Sequence, residues 1–313
     1  MKKILSIVVT YNGMQWIHEC IGSLSKSIYP TEIIVIDNCS SDETVAQIKK
    51  NFPKVKIIES ERNLGFGQAN NIGFREAIAQ NADYVFLLNQ DAWIELDTLK
   101  KLIEIHQQHA VFGILSPLHL NKAGTALDKF FFEYLQQSNS ENLTASELLI
   151  RKSNSIVIET PFVNAAAWLV SIETIKQIGG FNPLFFHYGE DRNYVQRAIY
   201  MGIHIGVCTN ARIYHDRDER IRNTVPNILQ IIKKEKTEFL IHAGNIHRKN
   251  YFAWTIRRLL GFMVRLFNAC LIANRNKILF NFEMAVFVVR SIPKIHKSHQ
   301  RSGEAGAFLC SEF

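Results

Sequence analysis

Unbroken apolar runs and amphipathic stretches alternate along the first third of the chain. Ile4–Thr10 is one such run, and Glu32–Asp37 is another, built on Ile33, Ile34, Val35 and Ile36. Tyr84-Val85-Phe86-Leu87-Leu88 is a third. Apolar runs without polar alternation read as strands covered on both faces. Between the first two, residues 15–27 repeat Trp16, Cys20 and Leu24 at spacing four, which marks one face of a helix. Residues 42–52 predict a second helix, with Ser40 or Ser41 as its N-cap and acids in its first turn. Residues 67–80 and 97–109 predict two more, and Lys56–Glu59 and residues 112–116 two further strands. Such alternation builds βαβ units, a mostly parallel sheet and right-handed crossovers.

The pattern then degrades. Residues 136–153 are polar and predict a long surface loop with a helical turn over 145–150. Unstructured loops of that length in compact domains are usually functional or mobile. An apolar stretch (161–170), a helix (172–178), a Gly179-Gly180 break and a helix over 190–201 follow. Short strands are expected over 203–208 and 212–214, and from Pro226 onward the chain reads as helical. The predicted organisation is an α/β domain over 1–225, with halves 1–117 and 118–225, and a helical region over 226–313. There is no internal repeat.

Composition narrows the class. With 313 residues and 47% hydrophobic content, one large α/β domain plus an appendage can bury a core, and wholesale disorder is excluded. Five scattered cysteines without a C-x-x-C pair argue for a reducing compartment, against a disulfide framework and against a structural zinc site. Met1-Lys2-Lys3 and the apolar run after it imitate a secretory signal. The run is short, however, and Thr10-Tyr11-Asn12-Gly13 stands where a small-residue cleavage site would be, so a first strand is the better reading. No apolar stretch reaches bilayer-spanning length. The net charge of +7 is uneven: residues 244–301 hold eleven Lys/Arg against the single acid Glu283, a segment charge of +10 that leaves −3 for the rest. Arg257, Arg258, Arg265, Arg275, Lys277 and Arg290 interleave there with Trp254, Leu260, Phe262, Met263, Phe267 and Phe287. One reading is amphipathic helices lying on an anionic membrane face. Another is a helical cap with a solvated basic face. Nucleic-acid binding ranks last, because the aromatics are mixed with large aliphatics suited to burial or lipid.

Several segments carry candidate chemistry, each with a structural alternative. Asn89-Gln90-Asp91 follows the third apolar run directly, and ligands of open α/β sheets bind beyond the carboxyl ends of the strands. Its oxygens suit Mg²⁺ or Mn²⁺, which need only one or two carboxylates when phosphates and water complete the shell; a helix cap would also place an Asp there. Asp37 ends the second strand, where an acid can hold a ribose hydroxyl or cap the turn through 38–41. Thr10 to Trp16 contains no Gly-x-Gly-x-x-Gly, which disfavours a nicotinamide dehydrogenase. The loop from Arg62 to Asn71 is rich in Gly and Asn and enters a helix; glycines let the backbone approach a ligand and a helix N-terminus favours anions. A turn using glycine for positive φ has the same look. Glu190-Asp191 opens a helix, where acids are favoured by the dipole alone. Phe181, Phe185, Phe186 and Tyr188 before it would form an apolar wall that raises a carboxylate's basicity. His215, in Ile213-Tyr214-His215-Asp216, could complete a metal shell as a neutral imidazole, although a lone His is more often structural.

Taken in order, Leu5-Ser6-Ile7-Val8-Val9-Thr10-Tyr11-Asn12, Val35-Ile36-Asp37-Asn38-Cys39-Ser40-Ser41-Asp42, Asn63 to Gly73, Asn89-Gln90-Asp91 and Glu190-Asp191 resemble the family 2 inverting glycosyltransferases, near their rhamnosyltransferase-like bacterial members. The resemblance covers residues 4–216. It implies a GT-A fold and a nucleotide-diphosphate-sugar donor, a UDP- or dTDP-sugar. Thr10, Tyr11, Asn12, Asp37 and Arg62 would then surround the nucleoside, with Gly65, Asn70, Asn89 and Gln90 on the donor side. Asp91 would hold the divalent metal, Mg²⁺ or Mn²⁺, helped by Asn89 and His215. Asp191 would take the proton of the acceptor hydroxyl, with Glu190 and Tyr188 on the acceptor side. Two positions depart from the family pattern. Asn89 stands where an Asp is common, which weakens the metal site, and Asn193 stands where a second acid is common, which touches acceptor positioning. The expectation is a metal-dependent inverting glycosyltransferase, cytoplasmic and peripheral on the inner membrane face, acting on a lipid-linked or polysaccharide acceptor of surface-glycan assembly. Its rivals are a catalytically silent nucleotide-sugar-binding scaffold, suggested by Asn89 and Asn193, and a sugar-nucleotide nucleotidyltransferase, which would want a Gly-rich turn after the first strand.

Overall fold

The computed structural model describes residues 1–138, 144–145, 148, 157–217 and 226–309. In chain order the elements are β1 (Ile4–Thr10), α1 (Ile17–Ser25), β2 (Glu32–Asp37), α2 (Thr44–Asn51), β3 (Lys56–Glu59), α3 (Gly65–Ala79), β4 (Tyr84–Asn89), β5 (Ala92–Ile94), α4 (Thr98–Gln108) and β6 (Phe112–Asn121). They continue with α5 (Lys129–Ser138), β7 (Val157–Glu159), β8 (Ala167–Ser171), α6 (Ile172–Ile178), α7 (Glu190–Tyr200), β9 (His204–His215), α8 (Ile228–Ala243), α9 (Tyr251–Leu271) and α10 (Arg275–Arg301). The strands form one mixed, mostly parallel sheet in the order β3-β2-β1-β4-β8-β6-β9-β5, with β7 paired to β9.

β3, β2, β1 and β4 run parallel, as the βαβ pattern requires. Register places Thr10 opposite Asp37 and Val9 opposite Asn89, so three motif-bearing strand ends share one edge. β8 then runs antiparallel between β4 and β6, and β9 lies parallel to β6. The apolar runs are unbroken because both faces of the sheet are covered. Within β4, Val85 and Leu87 join the cluster containing Phe74, Trp168, Phe181 and Tyr194. Tyr84, Phe86 and Leu88 join the opposite cluster with Cys20, Leu24, Leu99 and Leu102.

Some boundaries differ from the sequence pattern. α2 starts at Thr44 and takes no cap from Ser40 or Ser41, because both serines bind the loop after β1. Asp42 instead accepts from the Thr44 amide at 3.1 Å. The two short strands expected over 203–214 are one strand, β9, irregular where its register against β6 shifts between Pro117/Cys208 and Leu118/Arg212. Helix α5 buries Phe131 and Leu135 ahead of the polar stretch. Most of the loop expected over 136–153, and the expected domain boundary at 225, lie outside the described residues.

Helices α8, α9 and α10 make a core of Phe239, Phe262, Met284, Val288 and Ile295, which Leu184 and Phe185 enter from the sheet domain. Asn193 Nδ2 donates to the Gly244 carbonyl at 2.9 Å, and Asn182 Nδ2 to Ser298 Oγ at 2.7 Å. After α10 the chain returns to the sheet domain. Gly180 N donates to Ala307 O at 2.7 Å, and Arg75 Nη1 to Leu309 O at 2.9 Å. Asn71 holds Phe181 with both ends of its amide and also reaches Phe308 O at 3.2 Å. Phe308 is buried, with the fully buried Arg197 guanidinium 4.9 Å from its ring centre. Gly179, at φ +90°, is required here, since a Cβ would collide with the Ala307 backbone. Truncating this staple by Phe308→Ala should lower the unfolding free energy by about 3–5 kcal/mol, as for other buried aromatics. Urea unfolding followed by circular dichroism measures it, and an unshifted midpoint would mean that segment 302–309 does not hold the fold.

Candidate active site

The donor-side residues of the sequence reading gather at the carboxyl edge of β1, β2 and β4. Gln90 Oε1 accepts from Thr10 Oγ1 at 2.8 Å and from Tyr11 N at 2.9 Å, while its Nε2 donates to Tyr11 O at 3.3 Å. Both ends of this amide therefore scaffold the β1 turn. Asn12, at φ +49°, accepts from Ser41 N at 2.8 Å and so ties that turn to the one after β2. Asp37 is buried; Oδ2 accepts from Ser40 N at 3.0 Å, and Oδ1 has no hydrogen-bond partner among the described residues. A buried acceptor left over at a strand end is available to a ligand donor.

Asn38, which the sequence reading gave no role, organises the next loop. Its Oδ1 accepts from Leu64 N at 2.7 Å, and its Nδ2 donates to Asn63 Oδ1 at 2.9 Å and Gly65 O at 3.3 Å. The Arg62 guanidinium is exposed and makes no hydrogen bond or ion pair among the described residues. Gly65 has φ +77°, and a Cβ there would collide with the Phe186 carbonyl. Asn70 is buried and donates to Phe66 O at 3.0 Å, one helical turn back.

At the end of β4 the Asn89 amide hydrogen-bonds Ala166 O at 2.9 Å. Asp91 is buried, and His215 Nε2 lies 3.4 Å from its Oδ1. His215 is fully buried, yet neither ring nitrogen has a hydrogen-bond partner among the described residues. His119 sits beside it, with ring centres 6.1 Å apart. Burial, then the His215 and Arg217 charges, push the His119 pKa well below the ordinary imidazole value, which keeps it neutral. One carboxylate and one uncommitted imidazole fit a divalent ion that draws its other ligands from phosphate and water. Among the described residues no third His, Cys, Asp or Glu joins them.

Glu190 and Asp191 open α7 behind Gly189, which takes φ +93°. Glu190 is 5% exposed and its Oε2 has no hydrogen-bond partner among the described residues; burial, then the neighbouring Asp191 charge, raise its pKa to about 8. Asp191 is half-buried, with Oδ1 accepting from Arg192 N at 2.7 Å. Burial raises its pKa as well, against backbone N–H donors at Arg192 and Ala165 and the charges of Arg192 and Arg217. The aromatic wall expected before these acids divides. Phe181 and Phe185 are buried in two different cores, whereas Phe186 and Tyr188 are 59% and 62% exposed. Contact between the Phe186 backbone and Gly65 fixes that division. Asn193 is turned from the acids towards the end of α8, so the side chain missing a charge serves domain docking.

Arg217 escaped sequence reasoning, although it stands two residues after His215. Its Nη1 lies 3.8 Å from Asp128 Oδ1, and its charge reaches both Asp191 and His119. Its charge thus acts on Asp191 and on the His119 imidazole that sits beside His215. Nothing in the local pattern marked it, because its neighbourhood is assembled from β6, α5 and α7.

A sheet of this topology, carrying acidic motifs at its carboxyl edge, defines a GT-A glycosyltransferase architecture. Residues 6–132 match the sequence model of glycosyl transferase family 2. It is 26% identical over 212 residues to the low-salt glycan biosynthesis hexosyltransferase Agl10 of Haloferax volcanii, covering 67% of this chain and 66% of that protein. It is also 26% identical over 222 residues to the O-antigen chain rhamnosyltransferase RfbN of Salmonella typhimurium, covering 69% and 67%. The chain thus spans about two thirds of each relative. The crystal structure of GalNAc-T7 with UDP, GalNAc and Mn²⁺ superposes with a TM-score of 0.53 at 17% identity, over 78% of this chain and half of that one.

The environment of Glu190 sets a pH dependence of stability. A folded-state pKa of about 8, above the unfolded value, means that the native state binds the extra proton between about pH 4.5 and 8. Stability therefore falls as pH rises through that window. Glu190→Gln should remove this slope and stabilise the fold at pH 8 relative to pH 5 by on the order of 1–3 kcal/mol. Melting temperatures at the two pH values test it, and equal shifts at both would show an ionised Glu190 throughout.

Proposed function

We propose that this protein is a divalent-metal-dependent inverting glycosyltransferase, transferring a sugar from a UDP- or dTDP-sugar to a hydroxyl of a lipid-linked or polysaccharide acceptor in glycan assembly. The observation that carries the proposal is the half-buried Asp191 carboxylate, raised in basicity by burial at the start of α7, in a chain that also sets Asp91 against His215 at the end of β4. Asp37 Oδ1 takes a hydrogen bond from the nucleoside, and Arg62 reaches its base or phosphate. Asp91 and His215, with the Asn89 side-chain oxygen, would hold Mg²⁺ or Mn²⁺, which when bound would neutralise charge on the donor's diphosphate. Asp191 receives the proton of the acceptor hydroxyl as that oxygen forms a bond to the anomeric carbon. The bond to the diphosphate breaks on the opposite face, its electron pair leaves with the diphosphate, and configuration inverts. Arg217 supplies positive charge near Asp191. Burial and the Asp191 charge raise the Glu190 pKa to about 8, so this carboxyl keeps its proton at neutral pH.

A thermal-shift screen of nucleotide sugars with Mn²⁺ identifies the donor, because ligands of the native state raise its melting point. With that donor, Asp191→Asn should slow release of nucleoside diphosphate to water by about a hundredfold or more while donor affinity by calorimetry stays within a few-fold. The acidic limb of the wild-type rate profile should lie above the ordinary aspartate value of about 4 and vanish in the variant. Undiminished release by the variant would remove Asp191 as the base. A donor that binds but is never cleaved would favour the silent scaffold.

Membrane contact is part of the same proposal. Among the described residues no helix is long and apolar enough to cross a membrane. On α9, Leu260, Met263, Val264, Phe267 and Leu271 form an exposed stripe at helical spacing, with Arg257, Arg265, Arg275 and Lys277 exposed around it. Apolar insertion plus about 1 kcal/mol per basic residue near an anionic surface supports reversible binding. Truncation before α9 is unsuitable as a test, since it removes the 302–309 staple. Leu260→Asp with Phe267→Asp should instead abolish flotation with phosphatidylglycerol vesicles and leave melting temperature within a few degrees; equal flotation would end the membrane reading.

A further inference from the structure

A cavity of about 600 Å³ lies between residues 184–188, α8 and α10, outside the acid motifs. Its volume falls within the range of about 300–1,000 Å³ found for small-molecule sites. Its walls are largely apolar, with Phe185, Ile232, Leu240 and Phe287 inside and Leu229 and Leu279 at the mouth. Lys233 and Lys236 also line it. Lys236 is paired with Glu283 at 2.8 Å, which consumes the acid of the groove. The exposed Lys233 ammonium has no ion pair among the described residues.

We propose that this groove holds the hydrocarbon chain of a phosphate-linked lipid acceptor, with Lys233 facing the phosphate. The inference rests on the glycosyltransferase reading and names where its acceptor docks. Three features point to a lipid. The segment forming one wall is the one whose Phe186 backbone presses on Gly65 of the donor loop and which leads from Tyr188 to Asp191 within three residues. An acceptor anchored here is therefore held next to both the donor loop and the base. Next, the groove opens onto exposed apolar side chains: Leu279 at its mouth and Phe282 lie one turn apart on α10. A chain can pass from a bilayer against that surface into the groove. Finally, an apolar trough with an unpaired cation at its rim complements an apolar chain with an anionic head.

The test uses the full chain and three probes: farnesyl phosphate, farnesol and inorganic phosphate. Calorimetry should show farnesyl phosphate binding at least tenfold more tightly than either of the others. Thr237→Trp, which fills the groove, should weaken farnesyl phosphate at least tenfold; Leu229→Asp, at a 65% exposed mouth position, should do so even if the tryptophan disturbs folding. Lys233→Glu should weaken farnesyl phosphate and leave farnesol unchanged. Farnesyl phosphate affinity indifferent to both groove variants, or matched by inorganic phosphate, would overturn the proposal. So would a dimer in sedimentation that Thr237→Trp dissociates, since a second copy would then fill the groove. Donor cleavage by the wild-type chain with Mn²⁺ is read separately: if it occurs while the groove stays empty of probe, only the acceptor site fails, and if no donor binds or is cleaved, the glycosyltransferase reading fails first.

Discussion

β5 pairs antiparallel with the end of β9, with Ala92 opposite His215 and Ile94 opposite Ile213. Three residues of strand thereby carry the geometry of the site. The pairing sets Asp91 against His215 and lets the Asp216 amide donate to Asp91 O at 2.9 Å. Asp216 in turn accepts from Trp16 Nε1 at 3.0 Å and Lys122 Nζ at 2.8 Å, which binds the start of α1 and the end of β6 to the same corner. Arg217 follows at once and reaches towards α5 and α7. Without this pairing the imidazole, the arginine and the acid at the end of β4 would have no common location.

The two acidic sites differ in environment. Asp91 is buried beside an imidazole and at a strand end, an arrangement suited to a cation. Asp191 is half-buried and made more basic by desolvation, an arrangement suited to proton transfer. The third carboxyl, Glu190, is buried deeply enough to stay protonated at neutral pH. Environments that push neighbouring titratable groups apart can divide their roles.

The C-terminal helices extend this site. Leu184 and Phe185 leave the sheet domain to enter the helical core, and Asn193 and Asn182 fasten α7 and its approach to α8 and α10. The residues just before Asp191 are thus fixed on one side by the helices and on the other by Gly65. The groove along α8 exists because of that docking. The return of the chain to Gly180, Asn71 and Arg75 closes the assembly, so the helical region and the sheet domain support one another.

The sequence by itself determined the parallel half of the sheet and the motifs at its edge. Short unbroken apolar runs between turn signals read as strands covered on both faces, and the parallel register puts Thr10, Asp37 and Asn89 in one row. It also announced the helical, basic C-terminal region, because charge and apolar spacing are local properties. Tertiary structure alone decided the rest. Ser40 and Ser41 look like caps for α2 but are claimed by the β1 turn, whose partners are distant in sequence. Phe181, Phe185, Phe186 and Tyr188 look alike as a string, yet alternate cores and one glycine contact divide them into buried and exposed pairs. The strand β5 is too short to carry a pattern, and the surroundings of Arg217 come from three separate elements. Charge placement and desolvation depend on such long-range neighbours, which no local spacing encodes.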